Sequence, residues 1–396
     1  IMSTIKVDEI FGETDASAVN FPNQFKVGGL SAEQGYTASG SQPSSPSNGD
    51  YWWDTGNDKL YRYIDGEFKE LGLAGPSVPI WAGTRGLFVG GGTNSGRHNV
   101  IQYIDITTPG NAQDFGDLTV ISEGGSSGGN QSRVVHKHGI GAGGGGGGWP
   151  SGHSNVIDYF APATTGNATD FGDSTCYTAR HAAVSNATRC IVGGGYGAQY
   201  TNQSWSQLGP NIVEYVTIAN TGNATDFGDL SQGGNGLGST NDETRGLFYG
   251  GYTGSAGLNR IDYITMATAG NSTDFGDTQG ASAYYVNKGV ISNNTIGCFS
   301  GGYHETTSYT KQNVISKVTI QTTGNATDFG DMTQAGTTGC QNTDGTTGCI
   351  APGEGASLDD RIDKITIATA GNATDFGDLL TDNYLSGADG VSGAAS

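Results

Sequence analysis

An all-β chain folded into a six-bladed propeller is what this sequence predicts, and three observations carry the prediction. The segment Thr165-Gly166-Asn167-Ala168-Thr169-Asp170-Phe171-Gly172-Asp173 recurs nearly letter for letter, with its phenylalanine at Phe115, Phe171, Phe227, Phe275, Phe329 and Phe376. The copies stand about 52 residues apart on average, the length of one propeller blade. Helical periodicity is missing, and short β-branched runs alternate instead with Gly, Asn and Asp turns.

Each unit carries four strand-like pieces. A weakly apolar stretch opens it, as in Ala182-Ala183-Val184 or Gly289-Val290-Ile291. A piece ending in a glycine doublet follows: Leu87 to Gly91, Ile191 to Gly194, Leu247 to Gly251 and Cys298 to Gly302. The second unit has a glycine-swollen version from His138 to Gly148, and the sixth a degenerate one from Cys349 to Gly353. The third piece is β-branched and aromatic, from Val100 to Ile106 and again at Ile212, Arg260, Val314 and Arg361. It is apolar at Ile261, Tyr263, Ile264 and Met266, hence on both faces, as a blade packed between two neighbours requires. The Asp-Phe-Gly-Asp piece closes the unit. Doublets suit strands crowded near the axis, where a side chain would clash. In the turn, Gly222-Asn223 suits positive φ, Asp226 suits bonding to backbone N–H groups, and Phe227 anchors the outer strand. For the first blade, Pro79-Ile80-Trp81 and Tyr384-Leu385-Ser386 compete to supply a strand, and the sequence does not choose.

Composition narrows the function classes. The 38 acidic against 18 basic residues leave a net charge of −20, which excludes nucleic acid and anionic membrane surfaces as electrostatic partners. No run approaches the ~18 apolar residues of a span, so membrane insertion is not expected. The start, through Ser3-Thr4-Ile5-Lys6, has no signal-peptide core. Five cysteines make no disulfide framework, and no CxxC pair suggests zinc. Cys340 and Cys349 flank the Asp344-Gly345 turn, but ordinary thiols are the expectation for both.

Ahead of the repeats lies a different region. Residues 37–50 form a polar Pro/Ser spacer. Tyr51-Trp52-Trp53-Asp54, Leu60-Tyr61-Arg62-Tyr63-Ile64 and Glu67-Phe68-Lys69-Glu70-Leu71 then read as a three-stranded meander with turns at Gly56-Asn57-Asp58 and Asp65-Gly66. A sheet this small needs a partner for its aromatic face.

Glycine doublet, β-branched strand and Gly-Asn-Ala-Thr-Asp-Phe-Gly-Asp-Leu turn together resemble the kelch-like repeats of tail-associated proteins of marine cyanophages and related phages. The aromatic meander resembles a module common in phage tail fibres, and Ser3 to Ile10 is similar to the N-termini of cyanophage tail-fibre proteins. The resemblance implies a six-bladed kelch-like β-propeller (79–396) preceded by a small N-terminal β attachment module: a virion-attachment segment (1–36), the spacer (37–50) and the meander (51–75). It implies a structural protein of the virion tail, made in the host cytoplasm. Its partners are then other tail proteins, through the N-terminal module, with room for a homo-oligomer.

Candidate sites are weighed against plainer readings. Asp-Phe-Gly is a kinase magnesium motif, but six copies without a catalytic loop are structural. Paired aspartates such as Asp226 and Asp229 lack the alternating oxygen ligands of a calcium loop. His136 and His138 point the same way on a strand without an evident third ligand, so a solvated edge is expected rather than a metal site. No cofactor and no catalytic constellation is expected, hence no enzyme.

One rim stands out for binding. In an antiparallel four-stranded blade, the second-to-third loop shares a rim with the blade-to-blade connection. The loops after the glycine doublets vary in length and carry Trp149 and His153, then Tyr196, Tyr200 and Trp205, then Tyr303, His304 and Tyr309. Aromatics with Asn, Gln and Ser neighbours suit host surface carbohydrate, whose C–H faces stack on rings. These rings equally suit plugging the rim or contacting a neighbouring virion protein. Receptor binding on a tail thus stands beside two alternatives: a decoration or connector protein without a receptor, or a bacterial surface propeller or carbohydrate-active protein.

Overall fold

The computed structural model describes residues 26–27, 30–31, 36–48, 50–54, 59–64, 66–71, 83–93, 96–140, 153–198, 211–279, 283–284, 288–304, 310–337, 339–351, 353–355, 360–380 and 389–393. Among them the regular elements are strands, with no helix. The chain divides into two units, residues 1–76 and 77–396.

The first unit has a sheet built around the expected meander. Tyr51–Asp54, Lys59–Ile64 and Glu67–Leu71 pair antiparallel, with Gly66 at φ 89° in the second turn. The start of the expected spacer is not irregular: Tyr36–Ser39 adds a parallel strand against Tyr51–Asp54. The rings pack on one another within the sheet, with Trp52 stacked on Tyr61 at 4.8 Å and edge-on to Phe68 at 5.4 Å. The Ser3 to Ile10 segment and the Gly56-Asn57-Asp58 turn lie outside the described residues.

The second unit is a β-propeller of six four-stranded antiparallel blades. Counted outward from the axis, blade 2 is Ser126–Gly129, Val134–Lys137, Val156–Phe160 and Thr169–Asp173. Blade 3 is Ala182–Ser185, Arg189–Gly193, Ile212–Thr217 and Thr225–Asp229. Blade 4 is Gly238–Asn241, Arg245–Tyr249, Arg260–Thr265 and Thr273–Asp277. Blade 5 is Ile291–Ser292, Ile296–Ser300, Val314–Thr319 and Thr327–Asp331. Blade 6 is Cys340–Thr343, Thr347–Ala351, Arg361–Thr366 and Thr374–Asp378. Blade 1 takes Arg85–Val89, Val100–Asp105 and Gln113–Asp117 from the start of the ring, and its innermost strand, Asp389–Gly393, from the C-terminus. Closure thus comes from the C-terminal end, while the two segments expected to compete, Pro79-Ile80-Trp81 and Tyr384-Leu385-Ser386, lie outside the described residues.

The hydrophobic core lies between blades rather than within them. One buried cluster occupies each of the six interfaces; that between blades 3 and 4 joins Val184, Ile191 and Phe227 to Phe248, Ile264 and Met266. All six repeat phenylalanines are buried, each 2–3% exposed. Each sits at a bulge between third and outermost strands; in blade 3 the register shifts between Val213 and Glu214, opposite Phe227.

The repeated turn is a clamp from one blade onto the one before. Its asparagine accepts the N–H of the last outer-strand aspartate of the preceding blade, as Asn223 does from Asp173 at 3.1 Å and Asn271 from Asp229 at 3.0 Å. Gly222 and Ala224 donate to Phe171 O and Asp173 O beside it. The ring closes on itself, for Asn111 of blade 1 accepts from Asp378 of blade 6. Asn, not the Asp226 expected to make the backbone bond, does this work; Asp226 is exposed. The Asp-Phe-Gly glycine is set by the same contact: a Cβ on Gly228 would stand 2.5 Å from the backbone of Gly270 in the next blade. We predict that Asn223→Ala, which removes one of three bonds at its interface, lowers unfolding stability by about 1 kcal/mol. Urea unfolding checks this, and a loss of several kcal/mol would show that the side chain does more.

A second clamp lies deeper. The third position of each third strand is a buried polar residue that holds the segment leaving the preceding blade. Asp262 accepts from Ser231 N and Oγ, Asp363 from Thr333 N and Oγ1, and Gln102 from Leu380 N. On the turn side, Arg85, Arg133, Arg189 and Arg245 lie over Tyr103, Tyr159, Tyr215 and Tyr263 at 4.3–4.6 Å. Each also donates to a carbonyl of the following blade, as Arg189 does to Met266 O. In blades 5 and 6 the cation moves to the tyrosine position, with Lys317 and Lys364 above Phe329 and Phe376.

The glycine doublets do not line the axis. They end the second strands at the rim, with Gly90 and Gly91 at φ 65° and 104° and Gly250 and Gly251 at 65° and 103°. Their N–H groups reach the blade-to-blade connection, as Gly195 does to Gly234 O. Positive φ selects glycine there, and so does close backbone: a Cβ on Gly90 would stand 2.6 Å from Ser122 O. What fills the axis is another piece of chain. Lys288–Gly289 pairs parallel with Cys340–Gln341 and touches the innermost strands of blades 1, 2, 3, 4 and 6. Gln341 Nε2 donates to Gly289 O at 3.0 Å, and any Cβ on Gly289 would overlap the backbone of Gln341 and Gly390.

Candidate functional site

The two rims differ in construction. On one, the repeated turns alternate with tight innermost hairpins, in which Asn130, Asn186, Asp242, Asn293 and Asp344 each accept backbone N–H groups two and three residues on. On the other, second-to-third connections meet blade-to-blade connections in small added sheets. Tyr196–Ala198 pairs with Tyr177–Ala179, and Tyr303–His304 with Ala283–Tyr284.

These connections are unequal. Residues 138–155 in blade 2 and 194–211 in blade 3 are 18 long. Residues 90–99 in blade 1 and 250–259 in blade 4 are 10 long. The two longest are neighbours, and between them the half-buried rings of His153 and Tyr196 stand 5.6 Å apart. Tyr303, also half-buried, belongs to blade 5 and does not join them. Trp149, Tyr200, Trp205 and Tyr309, and the side chain of His304, lie outside the described residues.

Beneath the His153–Tyr196 pair lies a buried polar cluster. Lys137, at the end of the second strand of blade 2, is 1% exposed and extends toward blade 3. Its ammonium donates to Thr178 O at 3.0 Å, His138 O at 3.2 Å and Ser154 O at 3.3 Å, and stands 3.3 Å from His181 Nε2. The other ring nitrogen of His181, Nδ1, is hydrogen-bonded to Ser126 Oγ at 2.6 Å. Burial, partly offset by Glu214, lowers the Lys137 pKa to about 8. Glu214 accepts from Ser174 Oγ and from Thr175 N and Oγ1. A cavity with room for about one water is lined by Lys137, Glu214 and Cys190 among apolar neighbours.

His136 and His138 are not a solvated edge: both are fully buried. They do face one side, with rings 5.0 Å apart, but toward different partners. His136 bonds Ser122 and Ser127 at 3.0 and 2.8 Å, while His138 Nε2 bonds Asp158 Oδ2 at 2.8 Å. Strand alternation predicts their shared side, but not that blades cover both faces. Lys137 was missed for the same reason; a lysine between two histidines on a strand flanked by Val134 and Val135 was the available signal.

The arrangement suits holding shape rather than chemistry. Ser, His and Asp are present, but the serines pair with His136 while the carboxylate pairs with His138. Among the described residues, no three His, Cys, Asp or Glu side chains converge as metal ligands. All five cysteines are buried free thiols. Cys340 stands opposite Ala351 and Cys349 opposite Asn342, so the two are diagonal rather than facing. Among known proteins, no family model matches the chain and no curated sequence does.

Proposed function

We propose that the chain is a phage tail protein, a tail fibre or tail-associated adhesin, that binds host surface glycans through the propeller rim with the long connections. The observation that carries this is the unequal construction of the two rims. One repeats the same innermost hairpin five times and the same clamp six times, whereas the other keeps its strands constant and varies its connections. Such a division suits a rigid scaffold that presents variable loops. The filled axis leaves the rim, not a central tunnel, as the place for a ligand. The tail assignment comes from the N-terminal motifs that resemble tail-fibre modules. Many copies on one particle turn weak single-site binding into avidity without new contacts.

The function is binding without catalysis, since the buried Ser, His and Asp groups between blades 1 and 2 are engaged with one another. A glycan array together with immobilised cyanobacterial lipopolysaccharide tests the adhesin half: saturable binding is expected, and none on either would leave a connector role. Cryo-electron microscopy of the particle tests the tail half, with density on the capsid overturning it.

A further inference from the structure

Five features single out one of the six rim sectors. The two longest connections border it, and the His153–Tyr196 ring pair lies within it. Two of the six histidines, His153 and His181, fall in it, whereas His136 and His138 face blade 1. Lys137 lies beneath it, bonded to carbonyls from both blades. Backbone strain falls here too: Arg180 has φ 59°, one of two non-glycine residues with positive φ among those described. Arg180 N donates to Gly124 O and Arg180 O accepts from Gly236 N, so neighbouring connections hold the strained residue from both sides.

We propose that the rim sector shared by blades 2 and 3 is the saccharide site, with the His153–Tyr196 pair as its stacking surface and Lys137 as its positioning residue. The proposal rests on the adhesin reading above and goes further by choosing one sector and naming what shapes it. A sugar ring stacks its C–H face on the half-buried rings, and its hydroxyls bond the polar groups around them. Lys137 acts through the backbone. Ser154, whose carbonyl it holds, follows His153 directly. Thr178, whose carbonyl it also holds, pairs with Gly197 next to Tyr196. One buried cation thus sets the separation of two rings that belong to different blades. An apolar residue there would leave the carbonyls of His138, Ser154 and Thr178 without the ammonium's three N–H donors.

The test uses the full chain, immobilised cyanobacterial lipopolysaccharide as probe, and the variants His153→Ala, Tyr196→Ala, Tyr303→Ala, Lys137→Met and Lys137→Arg. His153→Ala and Tyr196→Ala should each weaken binding tenfold or more, and Tyr303→Ala in blade 5 less than twofold. Lys137→Met should weaken binding as much and speed hydrogen exchange of the Ile140, Ser154 and Arg180 amides at least tenfold. The Gly222 and Ala224 amides of the opposite rim should keep their rates. Lys137→Arg, which keeps a cation among the carbonyls, should recover most of the binding. A wild-type chain that binds, but ignores both ring substitutions or loses binding in Tyr303→Ala, overturns the sector and leaves the rim reading standing. A wild-type chain that does not bind overturns both. Unchanged rim exchange in Lys137→Met overturns the positioning role whatever the binding result.

Discussion

A chain ending at Leu380 should not form a stable propeller. The missing strand pairs with Arg85–Val89 over five residues, in the register Asp389 with Val89 through Gly393 with Arg85. Val391, 2% exposed, packs with Leu87, Ile101, Phe115 and Val290. Losing one buried valine removes about 2 kcal/mol. The backbone bonds of a five-residue pairing add about 1 kcal/mol each, so the total is about 6 kcal/mol. Against a global stability of about 5–15 kcal/mol, that loss removes most or all of the fold. The cut also uncovers the axis, since Gly390 backbone stands against Gln341, which holds Gly289. Circular dichroism and urea unfolding of the shortened chain would show no cooperative transition, or one at far lower urea. An unchanged midpoint would rule out closure by the C-terminal strand.

Alkaline solution should destabilise the fold more than its acidic composition suggests. Burial raises all five thiols: Cys176 to about 11, Cys190 and Cys298 to about 12, and Cys340 and Cys349 further. A thiol kept protonated by the fold stabilises it fully below pH 9, and that contribution is lost as pH rises toward the folded value. At pH 10 each thiol has forfeited about 1.4 kcal/mol, hence about 7 kcal/mol for five. Lys137 pulls the other way, because its folded pKa lies below the unfolded 10.5. Its burial penalty is relieved as pH rises from 8, returning roughly 2–3 kcal/mol by pH 10. The net loss from pH 7 to pH 10 is about 4–5 kcal/mol, with unfolding at pH 10 releasing roughly three to four protons. Urea titrations under reductant at the two pH values, with proton release followed in parallel, measure both. A midpoint that holds or rises would contradict the burial of the thiols.

What was legible in the sequence was whatever the chain repeats. Phe227 and its five equivalents marked one blade each, because the inter-blade core needs the same ring at every interface. Features that occur once were not legible. Nothing in Lys288-Gly289 marks it as the axial segment, since only the surrounding innermost strands make that place. Asp389-Gly390-Val391-Ser392-Gly393 has little strand propensity, and its pairing is imposed by the open edge of blade 1. The glycine doublets were recognised as sites where a side chain would clash but were placed at the axis; they sit at the rim, where positive φ adds to the close backbone.

The candidate site was legible in half. Variable connections and their aromatics pointed to one rim by topology, and His153 and Tyr196 do meet there. The sector proposed above is picked out by groups buried beneath it, Lys137 and His181. His136, Lys137 and His138 look like a polar strand edge in one dimension, and become an inter-blade floor only when two blades close over them.

The repeated turn also governs how copies of the protein tolerate one another. An outermost strand ordinarily offers a row of unpaired carbonyl and amide groups, a template for edge-to-edge aggregation. Here the next blade's turn lies along that border: Gly222 and Ala224 engage the carbonyls of Phe171 and Asp173, and Asn223 takes the Asp173 amide. The same seal is set at each blade junction, including the one that closes the ring. Exposed aspartates such as Asp170 and Asp226 add mutual repulsion along it. A protein present in many copies at close quarters gains from borders that leave neighbouring molecules little to pair with.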